Sequence, residues 1–287
     1  MNVVVTGASG FIGKRLLQLL REKGHQAEGV SVRKDSNWES KVEAADAVVN
    51  LAGEPLFGKR WTVLLKSEIH DSRVSATRKV VDAMGRGQKK NPKPRVLVNG
   101  SAIGFYGPTG DEALTEASPA GSDFLAFVCR EWEEAAEKAR LQHDVRTVLL
   151  RTGIVIGKDG GALKQMLMPF KLGIGGRIGS GQQWMSWIHL DDLCGLIIHA
   201  IENENVRGPL NGSAPNPVRN EDFTKTLGAV LNRPTLLPIP SFGLYLAFGE
   251  ASHLLTTGQR VLPELALQTG YRFKFKALNE ALVQATT

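Results

Sequence analysis

Thr6-Gly7-Ala8-Ser9-Gly10-Phe11-Ile12-Gly13 is the stretch on which the reading of this chain turns. Its glycines recur every third residue. The apolar run Val3-Val4-Val5 precedes it, and a helical stripe at Ile12, Leu16, Leu17, Leu19 and Leu20 follows. A short apolar run that stops at glycine reads as a buried parallel strand, and the stripe as a helix with one apolar face. In such a strand–turn–helix unit Gly7 permits the tight turn, Gly10 lets the backbone approach a pyrophosphate, and Gly13 lets the helix pack closely on the sheet. Free N–H groups and the dipole at the helix start favour that anion. Ser9, Phe11 and Ile12 fall in the same candidate cradle.

Strand and helix keep alternating beyond it. Gly24 closes the first helix, and 27–32 reads as the next strand. Residues 47–51, 95–99 and 145–150 read as further strands, and 61–85 and 122–140 as long helices. The first long helix is given a polar face of Lys66, Glu68, Arg73 and Lys79. The second carries Glu131, Glu133, Glu134 and Glu137 on or near water. Alternation of this kind predicts βαβ crossovers and an α/β fold. The expectation is a Rossmann-type doubly wound parallel sheet with a smaller C-terminal substrate or extension region. Glycines crowd 153–181, which reads as long loops of the sort that build binding sites. A helix follows from about 191 to 202, capped by Asp191 or Asp192. The expected organisation is a nucleotide-binding core over 1–160, a substrate-side region interleaved with it over 161–237, and a C-terminal extension over 238–287.

The end of the second strand selects the cofactor. A dinucleotide without a 2′-phosphate calls for a carboxylate there, to bind the ribose 2′-hydroxyl. This chain has Ser31 at that position, with Arg33 and Lys34 just after it. A hydroxyl and two cations suit a 2′-phosphate, which a carboxylate would repel, and arginine's forked donors match it. Glu28 lies mid-strand and Asp35 past the tip. The expected cofactor is therefore NADP(H). Asn50-Leu51-Ala52-Gly53 closes what reads as the fourth strand, where small residues let a cofactor ribose lie against the backbone; Glu54 follows. Thr152 and Gly153, ending the sixth strand-like run, are expected beside the nicotinamide.

Composition narrows the partners. In 287 residues, 22% are charged and 42% hydrophobic, which is globular rather than disordered. The net charge of +6 suits a small anionic partner. The densest basic run, Lys89, Lys90, Lys93 and Arg95, is broken by Pro92 and Pro94 and lacks interleaved aromatics, so nucleic acid is not expected. Cys129 and Cys194 form no CxxC pair, which argues against a metal or redox site and for two reduced, buried thiols in a cytoplasmic protein. No stretch of about 18 apolar residues occurs, and no membrane partner is expected.

The glycine run, the Asn-Leu-Ala-Gly strand end and the loop Ser101-Ala-Ile-Gly-Phe-Tyr106-Gly107 resemble the extended short-chain dehydrogenase/reductase superfamily. More narrowly, Leu150-Arg-Thr-Gly-Ile-Val-Ile-Gly157, Met168-Pro-Phe-Lys-Leu-Gly173 and Trp187-Ile-His-Leu-Asp-Asp-Leu193 resemble its atypical epimerase family branch. Residues from about 238 to 285 are similar to that branch's small C-terminal extension. The resemblance implies an NADP(H)-binding fold, pairing into a homodimer through long helices, and a mechanism built on a Tyr, a Lys four residues later and a Ser. Lys lowers the Tyr pKa so that the phenol exchanges a proton with the substrate oxygen.

Ser101 matches the serine, at a strand end beside both substrate and cofactor. The Tyr-x-x-x-Lys pair is missing: Gly110 follows Tyr106 at that spacing, Gly249 follows Tyr245 and Phe275 follows Tyr271. Leu125 and Cys129 stand where the pair belongs. Tyr106 is then the candidate proton donor, with an ordinary pKa near 10. His189 is a second group able to act at neutral pH. Phe105, Gln182, Trp184 and Trp187 complete a candidate pocket for a small-molecule substrate. Two functions stay open. One is an NADP(H)-dependent oxidoreductase or epimerase acting on a hydroxyl or carbonyl of a small substrate, sugar nucleotides included. The other is a non-catalytic NADPH-binding sensor or regulatory protein.

Overall fold

The computed structural model describes residues 1–287 except Phe57, Pro94 and Asp159. Pro94, noted above as a break in the basic run, thus lies outside the described residues. The chain begins β1 (Asn2–Thr6), α1 (Phe11–Glu22), β2 (Gln26–Val30), α2 (Trp38–Ala44), β3 (Ala47–Asn50), α3 (Val63–Lys90) and β4 (Val96–Ala102). A 3₁₀ turn at Ile103–Tyr106 leads to the short β5 (Ala113–Leu114), then to α4 (Phe124–His143) and β6 (Arg146–Thr152). Next come β7 (Ile154–Ile156), α5 (Gly161–Lys171), β8 (Trp184–Met185), β9 (Trp187–His189), α6 (Leu190–Glu202) and β10 (Gly208–Gly212). The rest is β11 (Val218–Arg219), α7 (Asn220–Leu231), α8 (Ser241–Phe248), α9 (His253–Thr256), β12 (Arg260–Val261), α10 (Glu264–Gln268) and α11 (Leu278–Thr286).

Six strands pair in the order β10-β6-β4-β3-β1-β2, and every neighbouring pair is parallel. This is the doubly wound sheet that the strand–helix alternation predicts. Successive side chains of a strand face opposite ways, so both faces need cover. Val3, Val5, Val49, Val98 and Leu150 pack under α1 and α6. Val4, Val48, Leu97 and Leu149 pack under α2, α3 and α4. Each such side chain, fully buried, stabilises the fold by about 1.5–3 kcal/mol before ordering costs. A second core gathers β7, β9, α5, α7 and α11 around Trp187, Phe223, Leu227 and Leu282.

Several expectations change. β2 ends at Val30, because the Ser31 carbonyl accepts from the N–H groups of Lys34 and Asp35 and turns the chain. The strand ending at Asn50 is the third and not the fourth, since the segment ahead of it is helix α2. The glycine-rich stretch is not all loop. Gly160 and Gly161 open helix α5: the Phe11 ring fills the space a Cβ on Gly160 would take, and Gly161, at φ +64°, lies against the Val155 carbonyl. Neither Asp191 nor Asp192 caps α6. His189 does, its Nδ1 accepting from the Asp191 N–H at 3.1 Å. Arg73 and Glu133, placed on wet helix faces, are both buried. Both cysteines are buried and free. Among the described residues no helix is long and apolar enough to cross a membrane.

Candidate functional site

A groove of about 450 Å³ opens at the carboxyl ends of β1, β2 and β3, where ligands bind in sheets of this winding. Its walls are the turn Gly7-Ala8-Ser9, the end of β2 from Gly29 through Arg33 with Asp35, the loop residues Ala52 and Gly53, and Ser72 and Ala76 of α3. Gly7 sits at φ +68°, and a Cβ there would lie 2.6 Å from the Leu51 carbonyl oxygen. A Cβ on Gly13 would lie 2.5 Å from the Gly7 oxygen. Both glycines are thus required by close backbone approach. Gly10 is the N-cap of α1, with no side-chain cap and no acid in the first turn, so the leading N–H groups and dipole of the helix are left for an anion.

The groove brings together Gly7, Ser9, Ser31, Arg33, Ala52 and Gly53 of the sequence candidates. Gly10, Phe11, Ile12 and Gly13 form the α1 start beside it. Leu51 and Glu54 flank the Ala52–Gly53 wall, and the Glu54 N–H donates to Ser72 Oγ at 3.0 Å. Lys34 is exposed and is not part of the lining. Asp35, set beyond the strand tip in the sequence, is carried back by the turn. Its carboxylate accepts from the Ser31 N–H at 2.7 Å and lines the groove beside Arg33. Ser72 and Ala76, one turn apart on α3, went unread; two small residues at that spacing are the only sequence signal they give.

Deeper in the sheet lies a buried polar layer. Thr6 Oγ1 donates to Asn50 Oδ1 (2.6 Å), and Asn50 Nδ2 donates to Thr77 Oγ1 and Asn99 Oδ1 (2.8 and 2.7 Å). Trp132 Nε1 donates to Thr77 Oγ1 at 2.9 Å. The layer ties β1, β3 and β4 to α3 and α4. Arg73 lies alongside, donating to the carbonyls of Ile69 and Glu54, 3.1 Å from where a Gly53 Cβ would stand.

The catalytic candidates lie apart from the groove lining. Ser101, 4% exposed, donates to Glu133 Oε1 at 2.6 Å. Glu133 takes both Nε and Nη2 of Arg151, and Arg151 Nη1 donates to Tyr106 Oη at 3.0 Å. The Tyr106 hydroxyl has two acceptors, Asn211 Oδ1 at 2.7 Å and the Thr115 carbonyl at 3.0 Å. Burial raises its pKa, with Arg151 pulling the other way. Tyr106 is 3% exposed, so as a proton donor to a ligand in the groove it is misplaced: its proton is already bound in the interior. The Arg151 guanidinium lies 3.4 Å from the Phe105 ring centre. Of the missing pair's positions, Leu125 packs at Gly104, and the buried Cys129 thiol is pushed up to about 12.

Two pocket candidates belong to the interior instead. Trp187 is fully buried, with Nε1 on the Asn216 carbonyl. His189 is 2% exposed between Gln284 and the α6 N-terminus, and burial lowers its pKa. Gln182 is exposed, while Trp184 is half-buried with Nε1 on Asp111 Oδ1 at 3.0 Å. Thr152 ends β6, and the N–H of Gly153, which follows it, donates to the Gly212 carbonyl.

Residues 3–211 match the NAD dependent epimerase/dehydratase family. The chain belongs to that family. Residues 239–285 of this epimerase-family chain match a domain of unknown function, DUF1731. It is 45% identical over 301 residues to the chloroplastic epimerase family protein SDR39U1 homolog of Arabidopsis thaliana, covering 98% of this chain and 86% of the relative. It is 40% identical to the human epimerase family protein SDR39U1 over 294 residues, 98% of each chain. A crystal structure of human SDR39U1 (isoform 2) with NADPH superposes with a TM-score of 0.91 at 38% identity, covering 99% of both chains.

Proposed function

We propose that this epimerase-family chain binds NADP(H) in the β1–β2–β3 groove and, with the cofactor held there, oxidises or reduces a hydroxyl or carbonyl of a small substrate. The observation that carries the reading is the uncapped, acid-free N-terminus of α1 opening beside a groove that contains Arg33. These residues fit a dinucleotide: backbone donors stand where a pyrophosphate belongs, and a guanidinium stands at the β2 end where a 2′-phosphate belongs. The NADPH bound by the human relative supports the same choice. When bound, the nicotinamide supplies or takes up hydride. The chain's own part is to hold it. Gly7 to Ser9 and the start of α1 would hold the cofactor's pyrophosphate, Ser31 and Arg33 its adenosine end, and Ala52 and Gly53 a ribose.

A second reading has its own support. Leu125 and Cys129 carry no proton-transfer chemistry near neutral pH, and the hydroxyls of Ser101 and Tyr106 are both engaged in the interior. That arrangement suits an NADPH-binding protein that does not turn over. Mixing the NADPH-loaded protein with a panel of carbonyl compounds, keto sugars and sugar nucleotides among them, separates the two. Steady NADPH oxidation with any member supports the enzyme. Tight binding without turnover supports the sensor, and absence of NADPH binding contradicts both.

A further inference from the structure

We propose that Arg73 of α3 is a cofactor-binding residue: its guanidinium, set behind Gly53, holds the nicotinamide half of the dinucleotide and brings to the site the positive charge that the missing lysine of α4 would carry. The proposal rests on reading the β1–β2–β3 groove as the cofactor site.

Arg73 is a buried cation without a counter-ion. It is 9% exposed, and no carboxylate hydrogen-bonds to it among the described residues. Its Nη1 donates to the Ile69 carbonyl and its Nη2 to the Glu54 carbonyl, both at 3.0 Å. A guanidinium carries five N–H donors, and these are its only acceptors among the described residues. Burial lowers its pKa, with Cys129 and Glu54 pulling the other way through space. Burying a charge is costly unless it is paired and hydrogen-bonded. A ligand rich in oxygen supplies the acceptors that the protein leaves out.

The surroundings of Arg73 select the part of the ligand. Ser72 and Ala76, its neighbours on α3, line the groove, and so does Gly53. Gly53 is exposed, and a Cβ on it would stand 3.1 Å from Arg73 Cζ and 3.2 Å from Nη2. With no side chain at 53, the guanidinium comes up directly behind that wall. On its other side Arg73 lies over the Trp132 ring of α4, 5.3 Å from the ring centre. The edge of that ring is 2.9 Å from where a Cβ on Gly100 of β4 would stand. Arg73 therefore sits between the ends of β3 and β4, whereas Arg33 follows β2; β1 separates the two places in the sheet. A dinucleotide with its 2′-phosphate at Arg33 and its pyrophosphate at the start of α1 extends its other half toward Arg73. Trp132 lies three residues past Cys129, the position of the missing lysine. Burial raises the Cys129 pKa and Arg73 opposes the rise, so the charge is felt at that position. Arginine stays protonated at working pH. It thus supplies donors and charge but no proton transfer.

The test compares NADPH with adenosine 2′,5′-bisphosphate, which keeps the adenosine and the 2′-phosphate but lacks the nicotinamide half. Calorimetry reads both ligands. Arg73→Met is expected to weaken NADPH by about tenfold or more while bisphosphate affinity stays within about twofold. Arg73→Lys returns the charge and is expected to recover part of the loss. Gly53→Ala keeps Arg73 and sets a methyl group in front of its guanidinium, and it too is expected to weaken NADPH and spare the bisphosphate. A substitution that merely loosened the fold would weaken both ligands. Unchanged NADPH affinity in Arg73→Met overturns the proposal, and so does an equal loss for the two ligands. Should Arg73→Met not fold, unchanged NADPH affinity in Gly53→Ala overturns it. If the wild type binds neither ligand, the cofactor reading has failed and the proposal falls with it; if it binds both and Arg73→Met does not discriminate between them, the proposal alone has failed.

Discussion

Arg151 grips Glu133 through two hydrogen bonds, Nε to Oε1 and Nη2 to Oε2, both 2.9 Å, and the two side chains are 4% and 8% exposed. The pair bridges β6 and α4, and Ser101 and Tyr106 hang from its two ends. Removing one member of a buried pair leaves the other's charge without compensation. Glu133→Gln and Arg151→Met are each expected to cost about 3–5 kcal/mol, and the double variant less than the sum of the two. Urea unfolding measures it. A loss under about 1 kcal/mol for either single change would contradict the reading.

Gly13 tests the glycine turn. An alanine Cβ there would stand 2.5 Å from the Gly7 oxygen and 2.7 Å from the Ala8 Cα, so backbone has to move. Gly13→Ala is expected to destabilise the fold by about 1–3 kcal/mol and to weaken NADPH by about tenfold or more. Gly110→Ala, with nothing within 4 Å of the added carbon, is the control. Unchanged NADPH affinity in Gly13→Ala would remove the turn from the binding site.

His189 gives stability a pH slope. Its ring accepts from the Asp191 N–H through Nδ1 and meets Gln284 Oε1 through Nε2 at 2.7 Å, which is the neutral tautomer with its proton on Nε2. Burial lowers its pKa below 6.5, while Gln284, Asp191 and Asp192 raise it and Lys274 lowers it. The unfolded chain therefore takes the proton first. This contribution is complete above about pH 6.5 and declines as pH falls from there through the folded pKa. His189→Asn keeps a capping side chain, so between about pH 7.5 and 5.5 it should lose less stability than the wild type. His199, also lowered by burial, is present in both proteins and cancels. Equal slopes would show that His189 does not titrate as described.

The Rossmann sheet and the glycine turn were legible because they rest on local pattern: apolar runs, glycine spacing and helical stripes. What escaped the sequence depends on partners distant in the chain. Glu133 sits among three other glutamates of α4, and it is drawn inside by partners distant in the chain, Arg151 18 residues on and Ser101 32 residues back. Trp187 and His189 resemble pocket residues until α7 and α11 pack over them. Asp35 looked remote from the 2′-position because the turn that returns it is made by backbone bonds to Ser31, to which no side-chain pattern points. Ser101 was found by motif. Its commitment to Glu133 follows from strand alternation meeting a helix, which spacing alone does not show.

A side-by-side titration of the wild type and Arg33→Ala with NADPH and NADH tests the cofactor site most directly. Arg33 lines the groove with Asp35 beside it, so the cation and the carboxylate pull the choice of cofactor in opposite directions. NADPH is expected to bind the wild type about tenfold or more tighter than NADH, a gap of about 1.4 kcal/mol, and Arg33→Ala to abolish the difference while leaving NADH binding unchanged. Equal affinity for the two in the wild type, or no binding of either, would contradict the NADP(H) reading.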